Sequence, residues 1–344
     1  MHILVYICLI IRMPLSFLLT DDLIQDLANL NNQFADKFAI LKNCNIEELD
    51  ALHKYARVST IGASTRIENA LLTDIEVNWI DTILTIDGKL SAFNRNRTLI
   101  KNKLSKDRER SIEEVAGCRA MLLLIYANPS DFFPLKENDL RALYYELISP
   151  YKKAIPYAGK YKIQSNSVIE KNKFTNEERV IFKTADPGPI TSAAMHDLIK
   201  WYNNSMFFSP WSIAITAELV YRFLAIHPFQ DGNGRLGRAM FLMSLLHSTS
   251  NVISFVSKYI AIDRCIEKHK EEYYYVLNRC SDGAFKEDPK KYKIQYFLRF
   301  MIKVLQESIE DIELYRNRFK AERLLSTTAL SILNCFKDNP AIRL

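Results

Sequence analysis

Glycine is scarce in this chain, with nine residues among 344. Three of the nine fall at positions 232, 234 and 237. Because glycine lets other groups approach the backbone closely, this cluster is the first indication of a site.

Closely spaced cysteines are also lacking. The six cysteines lie far apart, at 8, 44, 118, 265, 280 and 335, and no CxxC motif is present. In a chain of this length they indicate buried, reduced thiols of a cytoplasmic protein rather than a disulfide framework.

A hydrophobic run long enough to cross a membrane is missing as well. Residues 1–20 (MHILVYICLIIRMPLSFLLT) are apolar, but Arg12 interrupts them and neither a basic start nor a small-residue cleavage site is present. Membrane association is therefore not expected. Met13 is followed by a sequence typical of a globular protein and could be the true first residue. We therefore favour a misassigned start, with residues 1–12 not translated, over a weak signal peptide.

The composition is that of a globular protein with a real core: 48% of residues are hydrophobic, 25% are charged and the net charge is +6. The densest basic stretch is Asn94–Arg110. It could bind nucleic acid or an acidic partner, but it lacks the interleaved aromatic residues of nucleic-acid grooves, so a solvated helix face is favoured.

Apolar residues recur three and four positions apart along most of the chain, which predicts helices. The predicted helices are Asp22–Leu41, Asn45–Tyr55, Ile112–Tyr126, Glu137–Leu147, Met195–Asn203, Trp211–Ile226, Arg235–His247, Ile262–Arg279 and Tyr292–Glu313. Alternating residues around a turn-like segment predict a β-hairpin over Lys160–Lys183. The predicted fold class is all-α with one small β-hairpin.

The segment HPFQDGNGRLGR at 227–238 lies between two apolar helical stretches. Pro228 ends the first helix, and the second directs its free N–H groups and positive dipole end into the loop. The glycines let an anion approach that end, and Arg235 and Arg238, three apart on one face, add fork-shaped donors. The loop therefore predicts a polyphosphate site.

His227 and Asp231 indicate the chemistry. An imidazole beside phosphates can activate an attacking hydroxyl, and a carboxylate beside phosphates predicts an intervening Mg²⁺. A single histidine at a helix end is usually structural, and an Asp before glycine is usually a turn. The conjunction of so many specified residues instead favours transfer at phosphorus. The G-x-G-x-x-G spacing follows no strand and G-K-[ST] is absent, which excludes dinucleotide and P-loop sites.

These residues resemble the Fic family of the Fic/Doc superfamily, whose signature is H-x-F-x-[DE]-G-N-G-R-x-x-R. Every specified position is filled: His227, Phe229, Asp231, Gly232, Asn233, Gly234, Arg235 and Arg238. The resemblance implies a helical core with a β-hairpin flap, and transfer of AMP from ATP to a protein Ser, Thr or Tyr. It implies that His227 is the base, Asp231 holds Mg²⁺ and Phe229 anchors the core. It also implies that Asn233 and the loop amides hold the α-phosphate, and Arg235 and Arg238 the outer phosphates.

An inhibitory motif of the same family, [ST]-x-x-x-E-[GN], is matched by residues 64–69, with Ser64 and Glu68 at its key positions. The resemblance implies that Glu68 pairs with Arg238 and displaces the γ-phosphate. The alternative is a helix N-terminus, because Thr65-x-x-Glu68 is also a capping box. In either case Glu68 is expected on a short helix capped by Ser64 or Thr65.

Weaker resemblances complete the prediction. Lys162 stands where the family has an arginine at the start of the flap, which places the hairpin at 163–182. Tyr274 resembles a residue beside the adenine, although it could simply be core, and Ser281 replaces a usual amide. The C-terminal segment resembles the opening of a winged helix, or is a packing helix.

The predicted organisation is an apolar segment (1–20), an N-terminal helical region (21–105), a catalytic core (106–313) and a helical tail (314–344). Three functions remain open: an auto-inhibited AMP transferase, a hydrolase that removes AMP at the same site, and a nucleic-acid-binding regulator. The expected partners are ATP, Mg²⁺ and a protein substrate, and a homodimer is left open.

Overall fold

The computed structural model describes residues 14–87, 92–104, 108–171, 178–206 and 211–338. Within these ranges the chain forms fourteen α-helices and one hairpin. The helices are α1 (Asp21–Leu41), α2 (Ile46–Ile67), α3 (Asp74–Asp87), α4 (Ala92–Leu104), α5 (Glu109–Ala127), α6 (Glu137–Ile148), α7 (Pro189–Ser205), α8 (Ser212–Ile226), α9 (Asn233–Leu246), α10 (Asn251–Val256), α11 (Ile262–Lys268), α12 (Lys270–Arg279), α13 (Gln295–Arg323) and α14 (Thr327–Asp338).

The hairpin consists of β1 (Val168–Lys171) and β2 (Glu178–Phe182), which pair antiparallel with Ile169 opposite Val180. The segment that joins the two strands lies outside the described residues. The predicted fold class, all-α with one small hairpin, is confirmed.

Helices α8 and α9 form the centre of the core. All fifteen residues of α8 are buried, as are all residues of α9 except Gly234. The two helices pack closely because Gly237 has no side chain: a Cβ there would lie 2.8 Å from Cδ2 of Leu224. Gly237 of the motif thus serves helix packing, and the loop between α8 and α9 is held by a rigid pair.

Helix α2 is longer than its sequence pattern predicted. It begins after Asn45, whose side chain accepts a hydrogen bond from the Glu48 N–H, but it continues to Ile67 instead of ending at Tyr55. It packs against α5, α11 and α13, and this burial keeps its polar second half helical.

The expected short helix around Glu68 is therefore wrong. Ser64 and Thr65 lie in the last turn of α2, and Glu68 is its C-terminal cap. The Thr65 hydroxyl donates to the carbonyls of Ile61 and Gly62, as a hydroxyl inside a helix does. The capping-box interpretation is wrong for the same reason.

Three other differences concern helix boundaries. The predicted helix Ile262–Arg279 is divided at His269 into α11 and α12. Helices α3 and α10 were not predicted, whereas α4 coincides with the helix face expected within Asn94–Arg110. Helix α13 extends to Arg323, so the predicted boundary between 313 and 314 falls inside it.

The basic stretch is largely neutralised by glutamates. Arg97 lies 3.0 Å from Glu113, and Lys101 pairs with Glu109. Arg108 likewise pairs with a carboxylate of α3. These pairs agree with the interpretation of a helix face, and they leave less positive charge for nucleic acid.

The structure describes five of the six cysteines, and none of these five forms a disulfide. Among the described residues, no helix combines the length and the apolar character that a membrane crossing demands. Residues 1–12, and with them the question of a misassigned start, lie outside the described part.

Candidate active site

The loop between α8 and α9 turns sharply at both ends. His227, the C-terminal cap of α8, has φ 54°, and Gly232, the N-terminal cap of α9, has φ 77°. A left-handed conformation costs a non-glycine residue about 1–2 kcal/mol, so the surroundings must hold His227 in place.

Asn233 closes this loop from inside. Its Oδ1 accepts a hydrogen bond from the Phe229 N–H at 2.9 Å, and its Nδ2 donates to the Phe229 carbonyl at 2.7 Å. The side chain is buried. The structure thus shows Asn233 shaping the loop, a role that the predicted phosphate contact did not include.

Phe229 anchors the loop in the core, as expected. Its ring is fully buried and stacks on Tyr144 with centroids 4.0 Å apart, and Tyr161 packs at 5.4 Å. The remaining loop residues are therefore fixed relative to α6.

Lys162 fastens the loop from the side of the hairpin. Its buried Nζ donates to the carbonyl of Ile226 at 3.0 Å, to Oδ1 of Asn166 at 2.9 Å and to Oγ1 of Thr184 at 3.0 Å. Burial lowers the pKa of Lys162 to about 8. The position was predicted from the resemblance, but this anchoring role was not.

Asn166 extends the same network. Its Nδ2 donates to the Phe229 carbonyl at 2.6 Å and lies 3.3 Å from the His227 carbonyl. Neither Asn166 nor Thr184 was predicted, since nothing in their spacing distinguishes them from ordinary loop residues.

The His227 ring has one nitrogen turned toward a backbone carbonyl. Its Nδ1 lies 3.2 Å from the Leu224 carbonyl, which can only accept, so Nδ1 carries the proton and Nε2 keeps its lone pair. Burial lowers the pKa of His227 to about 4, and the nearby Lys162 charge acts in the same direction. The imidazole is therefore neutral at pH 7.

Arg238 is buried and held from three directions. Its Nε donates to Oδ1 of Asp263 at 2.9 Å, and its Nη2 donates to the Ser64 carbonyl and to Oε1 of Glu68, each at 2.9 Å. The expected pairing of Glu68 with Arg238 is present. The Asp263 contact was not predicted, because its sequence position carries no signal.

The Glu68 carboxylate also lies against the first turn of α9. A Cβ on Gly234 would come within 2.4 Å of Glu68 Oε1, so only glycine permits this approach. The positive end of the helix dipole stabilises a negative charge at this place. A carboxylate thus lies where the sequence predicted an anion.

Arg235 points away from Arg238 although the two are three residues apart. Its Nη2 lies 3.5 Å from Oδ1 of Asp231, and its Nη1 lies 3.7 Å from Glu114. Arg110 of α5 reaches the same carboxylate, with Nη2 3.1 Å from Asp231 Oδ2. Neither Arg110 nor Glu114 was predicted to belong to the site.

Asp231 fits a metal that arrives with a polyphosphate. Its side chain is 59% exposed, and no group of three or more metal-ligating side chains occurs among the described residues. Mg²⁺ commonly binds through one or two carboxylates together with substrate phosphates and water. One exposed carboxylate beside an anion site meets that requirement.

Tyr274 lies on α12 and is 39% exposed. Burial raises the pKa of its phenol, and the negative charge of Glu68 acts in the same direction. Ser281 is fully buried. A contact between Tyr274 and adenine remains a prediction.

Residues 134–245 match the family model described as Fic/DOC family. This part of the chain is a Fic/DOC domain. The domain contains the whole 227–238 loop and the hairpin. Glu68, Arg110 and Tyr274 lie outside the matched residues.

Two relatives show low sequence identity to this chain. The chain is 22% identical over 232 residues to a protein adenylyltransferase Fic of Aedes aegypti, covering 65% of this chain and 39% of that protein. A protein of the same name from Culex quinquefasciatus shows the same identity and coverage. The chain thus spans well under half the length of these two relatives.

Solved structures show that the fold is Fic-like. A Fic-domain signalling protein from Bacteroides thetaiotaomicron superposes with a TM-score of 0.57 at 23% identity, covering 82% of this chain and 96% of that one. A Fic family protein from Desulfovibrio desulfuricans gives 0.59 at 22% identity, covering 94% and 81%. At these identities the likeness concerns the fold alone.

Proposed function

We propose that this chain transfers AMP from ATP to a Ser, Thr or Tyr hydroxyl of a protein and that Glu68 inhibits the transfer. The observation that carries the proposal is the arrangement at the start of α9. A neutral His227 with a free Nε2 lies in the short loop before α9, and α9 supplies a helix N-terminus and, in its second turn, the buried guanidinium of Arg238. These are the parts that transfer at phosphorus requires.

The proposed reaction is a displacement at the α-phosphorus of ATP. His227 Nε2 accepts the proton of the target hydroxyl while the hydroxyl oxygen forms a bond to the α-phosphorus. The bond from the α-phosphorus to the oxygen bridging to the β-phosphorus breaks, and pyrophosphate leaves. The N–H groups of the first turn of α9, with Arg235 and Arg238, stabilise the phosphate charge.

Asp231 is the residue that would hold Mg²⁺. When bound, the ion neutralises phosphate charge and orients the leaving pyrophosphate.

The hairpin supplies a means of holding the target. Strands β1 and β2 form a two-stranded sheet, and an extended peptide can add to the edge of such a sheet through main-chain hydrogen bonds. Lys162 and Asn166, just before β1, bond to the catalytic loop. A target on the hairpin would thus be positioned relative to His227.

The position of the Glu68 carboxylate supports the inhibitory part of the proposal. Its carboxylate contacts Arg238 and lies against Gly234, within the region proposed for the phosphates. A triphosphate that reached Arg238 would meet a like charge there. ATP would bind weakly or with its α-phosphate out of line.

Removal of AMP from a modified protein is the second candidate function. A carboxylate at the edge of the site could orient a water molecule toward a phosphate, and Glu68 is so placed. The nucleic-acid regulator is disfavoured, because glutamates neutralise much of the basic stretch.

ATP labelled at the α- or the γ-phosphate distinguishes these functions. Addition of the Glu68→Gly variant to a cell lysate should increase protein labelling from α-labelled ATP above that of the lysate alone, but not from γ-labelled ATP, which kinases of the lysate use in both samples. His227→Ala introduced into the same variant should abolish this increase. Release of labelled AMP from a modified target, without incorporation, would support the hydrolase instead. Mass spectrometry of the labelled peptides would then identify the target.

A further inference from the structure

Arg110 has three neighbours beside the loop between α8 and α9. Its guanidinium lies over the Tyr151 ring, 3.8 Å from the centroid, and its Nε donates to Oε1 of Glu114 at 2.8 Å. Its Nη2 donates to Oδ2 of Asp231 at 3.1 Å. The stacking on Tyr151 and the hydrogen bond to Glu114 together orient the Arg110 guanidinium toward Asp231.

Four charged groups alternate in sign at this place. Arg110 and Arg235 each lie between Glu114 and Asp231, at distances of 2.8 to 3.7 Å. Oδ1 of Asp231 also accepts the Gly232 N–H at 2.6 Å. Both oxygens of the carboxylate therefore have positive or polar partners supplied by the chain.

We propose that Arg110 is a built-in counterion of Asp231 that competes with the divalent cation for this carboxylate. The inference rests on the proposed function, in which Asp231 holds the metal. An ion at ordinary coordination distance from Asp231 would lie within roughly 5 Å of the guanidinium, where the like charges repel. Arg110 must therefore move away, or the metal binds more weakly.

The geometry makes such a movement easy. The Arg110 and Asp231 side chains are 40% and 59% exposed, so a cation reaches the carboxylate from solvent. After leaving Asp231, Arg110 keeps Glu114 and the Tyr151 ring as partners. The consequence is a site that binds metal only when the phosphates add their own charge.

Binding of Mn²⁺ in the presence of ADP, measured by electron paramagnetic resonance, tests the proposal without any catalytic turnover. The Arg110→Gln variant should bind Mn²⁺ roughly three- to tenfold more tightly than the wild type. Raising the salt concentration should reduce this difference, because both side chains are partly exposed.

Arg141→Gln is the matched control. Arg141 also stacks on a tyrosine, Tyr161, at 4.0 Å, and also lies near a glutamate, Glu137, at 3.7 Å, but it does not reach Asp231. Its substitution should leave the Mn²⁺ affinity unchanged. Thermal melts of both variants would show whether either change unfolds the protein.

Unchanged or weaker Mn²⁺ binding by Arg110→Gln would overturn the proposal. Titration with ADP alone identifies one reason: weaker binding without metal would mean that Arg110 holds phosphate. Asp231→Asn must lower the Mn²⁺ affinity, and if it does not, the ion binds elsewhere and the proposal fails. Failure of AMP transfer itself would appear separately, as missing α-label in the Glu68→Gly variant.

Discussion

Replacement of Glu68 is the most informative perturbation of this site, because we expect it to increase AMP transfer. Glu68→Gln removes the charge and keeps the shape, whereas Glu68→Gly removes both. In each variant Arg238 keeps Asp263 and the Ser64 carbonyl as partners. The site should therefore stay formed while its negative neighbour disappears.

The magnitudes follow from burial and distance. Glu68 is 31% exposed on its side chain and Arg238 only 2%. Because Asp263 still neutralises the buried guanidinium, the loss of stability should be about 1 kcal/mol or less, well below the cost of leaving a buried charge unpaired. One fewer negative charge near the phosphates should improve ATP binding by about 1–2 kcal/mol, roughly five- to thirtyfold.

Calorimetric titration with ATP, incorporation of α-labelled ATP and a thermal melt on the same samples measure these effects. Glu267→Gln is the matched control. Oε1 of Glu267 lies 2.7 Å from Nε of Arg66, which is in the last turn of α2 near Glu68, and the Glu267 side chain is 28% exposed. This ion pair leads to α2 and not to α9. The Glu267→Gln change should leave ATP binding unchanged. If Glu68→Gln and Glu68→Gly melt earlier but bind ATP and transfer AMP no better than the control, Glu68 is only the end of a helix.

Four further predictions concern the same region. His227→Ala in the Glu68→Gly background should keep ATP binding but lose AMP transfer by ~10²–10⁴-fold in a labelled-ATP assay, and near-normal transfer would refute its role as base. Asp231→Ala should abolish Mg²⁺-dependent transfer, and undiminished wild-type activity in excess chelator would contradict the metal role. Phe229→Ala should lower the free energy of unfolding by about 3–5 kcal/mol in urea titrations, since the fully buried ring stacks on Tyr144. The free energy of unfolding should also fall from pH 6.5 toward pH 4. Burial lowers the pKa of His53 and His227 to about 4 in the folded protein, so the unfolded chain takes up protons first as the pH falls. A free energy of unfolding that stays constant over that range would contradict the burial of both rings.

The local arrangement of the candidate site could be predicted from the sequence, because it depends on one short loop. This loop supplies His227, Asp231 and the start of α9, and its two flanking helices are apolar on nearly all sides. Helix ends and glycines set the local backbone at His227 and Asp231, and contacts from distant residues such as Asn166 then hold it in place.

The supporting contacts could not be predicted, because they depend on the packing of distant segments. Asp263 reaches Arg238 from α11, and Arg110 reaches Asp231 from α5. Each is an ordinary charged residue in its own helix. The length of α2 was missed for a related reason: polar residues near Gly62 suggest a break, but burial against three other helices overrides that local preference.

The Lys162 network has a consequence for how such a protein could change its targets. The three side chains that tie the hairpin to the loop, Lys162, Asn166 and Thr184, all lie outside β1 and β2. Sequence changes within the strands would alter what the hairpin recognises without disturbing the backbone of His227. In the proposed function, recognition and chemistry are thus separable parts, and we expect that one hairpin could be exchanged for another while His227 and the proposed phosphate site continue to work.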